Sequence, residues 1–337
     1  MTANKNLKRR VRARAARTGE SYAAALRHVR PQHQGTEMPE TTPLRLATAQ
    51  VTISEDPRDQ AKLRQSGQQV QELMRQAGQA GARVIHFPEG ATCSPHKRIM
   101  SVAGPAEVGP ADWDRADWPA LRAEVTAIAR LAGELRLWTV LGSVHPLTPP
   151  HRPHNSLYVI SERGELVTRY DERLLSNTKL SFMYAPGAVP VTFAVDGVRF
   201  GCALGIEVHF PEVFTEYERL DADVVLFSTT GAGNDPGATA AFATEAQAHA
   251  AANSLWVSFA VAAGQGPPAG IIAPDGRWAA RCPDDGHPAL AVADIDNEPE
   301  SRDIAVTKAR PWRRLARAGI YDAHQVTDDR SEERTAF

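Results

Sequence analysis

Residues 195–228 read "VDGVRFGCALGIEVHFPEVFTEYERLDADVVLFS". "VRFGCALGI" has the near-continuous apolar character of a buried strand, and "ADVVLFS" repeats it. Between them, Pro211 and Glu212 have the residue types that start a helix, since proline at the first helical position lacks only an N–H that would be unpaired anyway. Strand, helix and strand in close succession argue for an α/β layered fold, a central sheet covered by helices.

The alternation continues in both directions. "LRLATAQVTI" (44–53), "ARVIHFPEG" (82–90), "WTVLGSV" (138–144), "NSLYVIS" (155–161), "LWVSFAVAA" (255–263) and "AGIIAPDGRW" (269–278) read as strands, and 59–80, 118–136, 211–220 and 238–253 as helices. The turns "ERGEL" and "DGV" join neighbouring strands as hairpins, so a mixed sheet is expected. No internal repeat is evident.

The chain has 337 residues, of which 42% are hydrophobic, enough for a substantial core. With 38 basic and 40 acidic side chains, overall charge gives no reason to expect nucleic acid or membrane as the main partner. The balance is uneven. Residues 1–31 carry nine Lys or Arg against the single acid Glu20, in two Ala- and Arg-rich helical stretches flanking Thr18-Gly19-Glu20-Ser21. They read as a basic helical hairpin, solvated or in contact with nucleic acid or an acidic partner, followed by a linker over 32–43. The main domain is expected over 44–300 and a polar tail over 301–337. No segment has the apolar length of a membrane span or the pattern of a secretory signal, which points to the cytoplasm. Cys93, Cys202 and Cys282 are widely spaced and odd in number, as in a reducing compartment. CxxC and HExxH spacings are absent, and no metal or other cofactor is expected.

A carboxylate just after a buried strand stands at the edge of a sheet, where α/β proteins assemble their sites. Glu89 in "VIHFPEG" is such a residue. Around it the ordered segments "LRLATAQVTI", "ARVIHFPEG", "NSLYVISERGELVTRYDERLL", "YAPG", the 195–228 stretch, "QAHAAANSLWVSFA" and "AGIIAPDGRWAA" resemble the signature segments of the carbon–nitrogen hydrolase family, the nitrilases and amidases, over roughly residues 44–296. The resemblance implies a four-layer αββα sandwich, commonly paired across a dyad as a homodimer. It also implies a Glu, Lys and Cys site that cleaves nonpeptide C–N bonds through a thioester. In that chemistry the Cys thiolate attacks, the Glu moves protons and activates water, and the Lys stabilises the oxyanion.

Glu89 matches the family's base. The lysine normally sits in a "YDK" or "YRK" segment, and here the segment is Tyr170-Asp171-Glu172. The cysteine position is Gly205. Glycine offers no nucleophilic atom, and a carboxylate at the lysine position opposes an oxyanion. Cys202, an odd step from Gly205 along the strand, points to the other face about 10 Å away. Cys93, on the loop after Glu89, is the remaining thiol that could stand in as nucleophile. The resemblance places His145 and Glu207 near the site as ligand-binding polar residues, and His249 and Ala252 where Arg and Glu are frequent.

A pocket holding Glu89 and Glu172 needs a shared proton or a cation between them, so an amine or guanidinium ligand would suit it. Three functional expectations follow. The first is a catalytically impaired family member binding a small amide or amine, or a partner protein. The second is an active hydrolase rerouted through Glu89, Glu172 and Cys93. The third is a nucleic-acid or partner-binding protein acting through its basic hairpin.

Overall fold

The computed structural model describes residues 43–232, 236–296 and 303–328, so the basic hairpin expected over 1–31 and nearly all of the linker after it lie outside the described residues. Pro43–Arg310 forms the larger of two units.

Among its described residues the larger unit holds twelve strands: β1 (Leu44–Gln50), β2 (Val84–His86), β3 (Trp138–His145), β4 (His154–Ile160), β5 (Leu166–Asp171), β6 (Thr192–Val195), β7 (Val198–Leu204), β8 (Val224–Ser228), β9 (Trp256–Ala260), β10 (Gly270–Ile272), β11 (Trp278–Arg281) and β12 (Ala289–Ile295). They form two six-stranded sheets, ordered β12-β1-β2-β3-β4-β5 and β11-β10-β9-β8-β7-β6. In each, the central strands are parallel (β1, β2 and β3; β7, β8 and β9), while hairpin partners such as β4–β5 and β6–β7 are antiparallel. The mixed αββα sandwich expected from the sequence is the observed fold.

Helices α1 (Gln60–Gln79) and α2 (Trp118–Leu135) cover the first sheet, and α3 (Pro211–Arg219) and α4 (Pro236–Asn253) the second. Asp59 and Asp117 cap α1 and α2, accepting from the N–H groups of Lys62 at 3.1 Å and Ala120 at 2.9 Å. Such caps satisfy N–H groups that the first helical turn leaves unpaired. Leu63, Val70, Leu73, Met74 and Ala77 of α1 are buried at the three- and four-residue spacing of one helix face.

Strand alternation separates the cores. On β1, Leu46 points between the sheets and Ala47 and Ala49 toward the helices; on β7, Phe200, Cys202 and Leu204 point between the sheets and Ala203 outward. The inter-sheet layer also holds Val84, Val140, Leu157, Val224, Leu226 and Ile271. Truncating a fully buried member such as Leu226 to alanine is expected to cost about 2–5 kcal/mol.

The segment read as a polar tail contains a helix, α5 (Arg310–Arg317), with Pro311 in its first turn. Its charged residues masked the periodicity. The buried Arg310 bonds Asp223 Oδ1 at 2.7 Å and the Ala222 carbonyl at 2.5 Å. Among the described residues no helix is long and apolar enough to cross a membrane.

Candidate functional site

Glu89 is set by a turn that leaves β2 and presses on β3. The Phe87 N–H donates to the Val140 carbonyl at 2.9 Å, and the Thr92 N–H to the Gly142 carbonyl at 3.3 Å. A side chain at Gly142 would collide with the Pro88 carbonyl, so glycine there allows the close approach. The turn buries the Glu89 side chain, and the Thr230 N–H, just beyond β8, donates to its Oε2 at 3.2 Å.

Pleating delivers the next two groups. Along β4 and the end of β5, Ser156 and Asp171 meet on one face, Oγ to Oδ1 at 2.6 Å, so their neighbours Asn155 and Glu172 face the other way. Asn155 Nδ2 donates to Glu89 Oε1 at 2.9 Å and to Glu172 Oε2 at 2.6 Å, bringing the two carboxylates together.

The cation expected between them is part of the chain. Lys179 Nζ donates to Glu89 Oε1 at 2.5 Å and to Glu172 Oε1 and Oε2 at 3.0 and 2.8 Å. The reading that the site had lost its ammonium is therefore corrected. The ammonium comes from position 179, seven residues beyond Glu172, at the start of the π-helical turn Lys179–Met183. The Lys179 side chain is 21% exposed, against 5% for Glu89 and 0% for Glu172, so it is the least buried of the three. Burial raises the proton affinity of Glu172; Lys179 opposes this, and Glu89 and Glu207 reinforce it, with a net rise above the ordinary carboxylate range. For Lys179, burial works against the charge but the two carboxylates outweigh it, and its pKa is raised.

Gly205 closes the site. It leaves β7 at φ +56°, left-handed backbone that favours glycine, and opens the 3₁₀ turn Gly205–His209. A Cβ built there would lie 2.6 Å from Glu172 Oε1 and 2.9 Å from Lys179 Nζ. The volume a side chain at 205 would enter is thus occupied by the carboxylate and the ammonium.

The other residues singled out from the sequence fall around this cluster in different roles. Glu207 is fully buried and accepts from Tyr170 Oη (2.6 Å) and from the N–H groups of Arg173 (2.7 Å), Leu174 (3.2 Å) and Leu204 (2.8 Å), which ties the chain after β5 to the end of β7. His145 pairs through Nδ1 with Tyr158 Oη at 2.8 Å, and burial lowers its pKa to about 4. Cys93 is fully buried in an apolar cluster with Leu63, Met100, Leu121 and Met183, and burial pushes its thiol up to about 12. It is a neutral thiol at physiological pH. Cys202 lies in the inter-sheet core, and His249 stacks on Phe214 at 4.1 Å and meets the Val208 carbonyl at 2.7 Å.

Sequence reasoning passed over Asn155, Lys179 and Tyr184. Tyr184 is buried, with its ring 5.5 Å from that of Trp113, and its hydroxyl makes no hydrogen bond within the described residues. Burial, with the Glu89 carboxylate next, raises its pKa well above the usual phenol value, so it stays a donor. A lysine between Asn177-Thr178 and "LSFMYAPG" carries no pattern of its own; only the path of the chain gives it meaning. Among the described residues no group of three or more His, Cys, Asp or Glu is arranged to hold a metal ion.

The comparisons bear on the family and the fold. The carbon–nitrogen hydrolase family model matches residues 45–301, and the chain belongs to that family. Hydrolase Rv0480c of Mycobacterium tuberculosis strain H37Rv is 29% identical over 230 residues, 67% of this chain and 73% of the relative; Hydrolase MT0498 of strain CDC 1551 matches equally. Among solved structures, a cysteine-to-alanine variant of a nitrilase-superfamily amidase from Nesterenkonia superposes with TM-score 0.59 at 19% identity, covering 82% of this chain and 98% of that one. A second variant of the same amidase has TM-score 0.59 at 19% identity over 83% and 99% of the two chains. It carries the acetamide moiety of fluoroacetamide on its active-site cysteine.

Proposed function

We propose that the protein is a carbon–nitrogen hydrolase-family member that does not run the thioester reaction and instead binds a small neutral amide at the family's site. The observation that carries this reading is Gly205, which has no nucleophilic atom and whose side-chain volume is filled by Glu172 and Lys179. A lysine held as an ammonium between two carboxylates has no free electron pair to attack with, and the buried Cys93 is protonated.

The ligand class follows from what the cluster leaves unpaired. Lys179 already stands between the carboxylates, so an amine ligand meets a filled position. The three donors of the Lys179 ammonium are taken by Glu89 and Glu172, which leaves the hydroxyl of Tyr184 as the donor beside the cluster. It suits a carbonyl oxygen.

The test measures ammonia release from a panel of amides, nitriles and N-carbamoyl compounds, with calorimetric titration of the same amides. Butyramide and acrylamide, seen bound to variants of the Nesterenkonia amidase, are the first probes. The expected outcome is no release above background, with saturable amide binding weakened by Tyr184→Phe. Turnover that disappears in Glu89→Gln would overturn the reading in favour of a hydrolase rerouted through Glu89 and Glu172.

A further inference from the structure

A second buried polar cluster lies between the sheets directly beneath Glu89. Thr48 of β1, His86 of β2, Ser228 of β8 and Ser258 of β9 are each 0% exposed. Thr48 and His86 are register partners on adjacent parallel strands, and the two serines face them from the opposite sheet.

The hydrogens of this cluster can be assigned by elimination. Ser228 Oγ lies 3.1 Å from the Phe87 carbonyl, which can only accept, so the serine proton points there. Ser228 therefore accepts from His86 Nε2 at 2.6 Å, and Nε2 carries the imidazole hydrogen. His86 Nδ1 is then bare and accepts from Ser258 Oγ at 2.8 Å, which in turn accepts from Thr48 Oγ1 at 2.6 Å. The result is a one-directional chain, Thr48 to Ser258 to His86 to Ser228 to the Phe87 carbonyl. Each hydroxyl of the two serines gives one bond and takes one, which makes burial of the set affordable. A proton added to Nδ1 would face Ser258 donor to donor.

The chain ends where the site begins. Phe87 is two residues before Glu89, and Ser228 is two residues before Thr230, whose N–H holds Glu89 Oε2. His86 thus fastens together the two backbone arms that grip this carboxylate, one from each sheet. We propose that His86 is a positioning residue for Glu89, fixing the turn Phe87–Glu89 against the end of β8 through Ser228. The inference rests on Glu89 being the centre of the site, whether or not that site turns over a substrate.

The test uses the full chain labelled with 13C at the glutamate carboxyls, with the Glu89 and Glu172 signals identified from Glu89→Gln and Glu172→Gln. In His86→Leu the carboxylate pair is expected to titrate with an apparent pKa moved by about 1 from wild type, and His86→Gln, which keeps a donor toward Ser228, restores most of it. Ser228→Ala leaves the imidazole in place and is expected to produce the same shift; it decides the matter if His86→Leu does not fold. A folded His86→Leu or Ser228→Ala that loses melting temperature yet titrates like wild type overturns the proposal and leaves His86 as core packing. Ammonia release plays no part in this readout, so turnover would sink the proposed function and leave this inference standing.

Discussion

Lys179 and Arg83 have the same charge formula at opposite ends of β2. Each stands between two carboxylates: Lys179 with Glu89 and Glu172, and Arg83 with Glu162 and Asp196, both at 2.7 Å. Around Arg83, water reaches every member, with side chains 33%, 37% and 51% exposed. There the guanidinium hydrogen bond lowers the pKa of Asp196, as it would in solution. Around Lys179, Glu172 is wholly buried and its pKa is raised despite a cation in contact. Stoichiometry alone does not set the behaviour of such a triad. Solvent does, because desolvation penalises the ionised carboxyl more than one shared cation can offset.

The largest expected effect breaks this contrast directly. Lys179→Met leaves two buried carboxylates without their cation and is expected to cost on the order of 3 kcal/mol in urea denaturation. Adding Glu172→Gln should recover part of that loss, and a double-mutant cycle with no coupling would contradict the geometry.

The pH dependence sharpens it next. Glu172 has a raised folded pKa, so the stability linked to its protonation is complete below the ordinary carboxylate value and is lost as pH rises through the raised one. Asp196 has a lowered pKa, so its contribution is present above the ordinary value and disappears on acidification. Glu172→Gln is expected to flatten the decline of the urea midpoint on the alkaline side, and Asp196→Asn only the acid limb. His86, lowered to about 3 by burial, adds a stability loss as pH falls below 6.5 that His86→Leu should abolish.

Gly205→Ala comes third. It places a Cβ against Glu172 and Lys179 at a left-handed backbone position, for about 2 kcal/mol. Gly205→Cys is expected to be similarly destabilised and to show no ammonia release, because Lys179 and Glu172 already occupy the thiol's place. Smallest is Arg83→Met, about 1 kcal/mol or less, a difference that should vanish in 1 M salt while that of Lys179→Met persists.

Much of the fold was legible. Helices read over 59–80, 118–136 and 211–220 occur as Gln60–Gln79, Trp118–Leu135 and Pro211–Arg219, since capping aspartates, Pro211 and apolar periodicity are local signals. The helix at Arg310–Arg317 was not legible, because its charges hide the spacing. Glu89, Glu172 and Gly205 could be found from the segments around them, and they do converge. Lys179 could not, because what makes it part of the site is a loop between β5 and β6 that carries it back over the end of β4.

By itself, the sequence determined an α/β layered fold and a glycine at residue 205, with the sandwich implied by the family resemblance, because strand patterning, turn residues and the identity of residue 205 are local properties of the chain. Whether the two carboxylates lacked a cation, and whether a thiol could return, was decided only by tertiary structure. Ion pairing and free volume depend on distances between residues far apart along the chain, and no spacing rule encodes them.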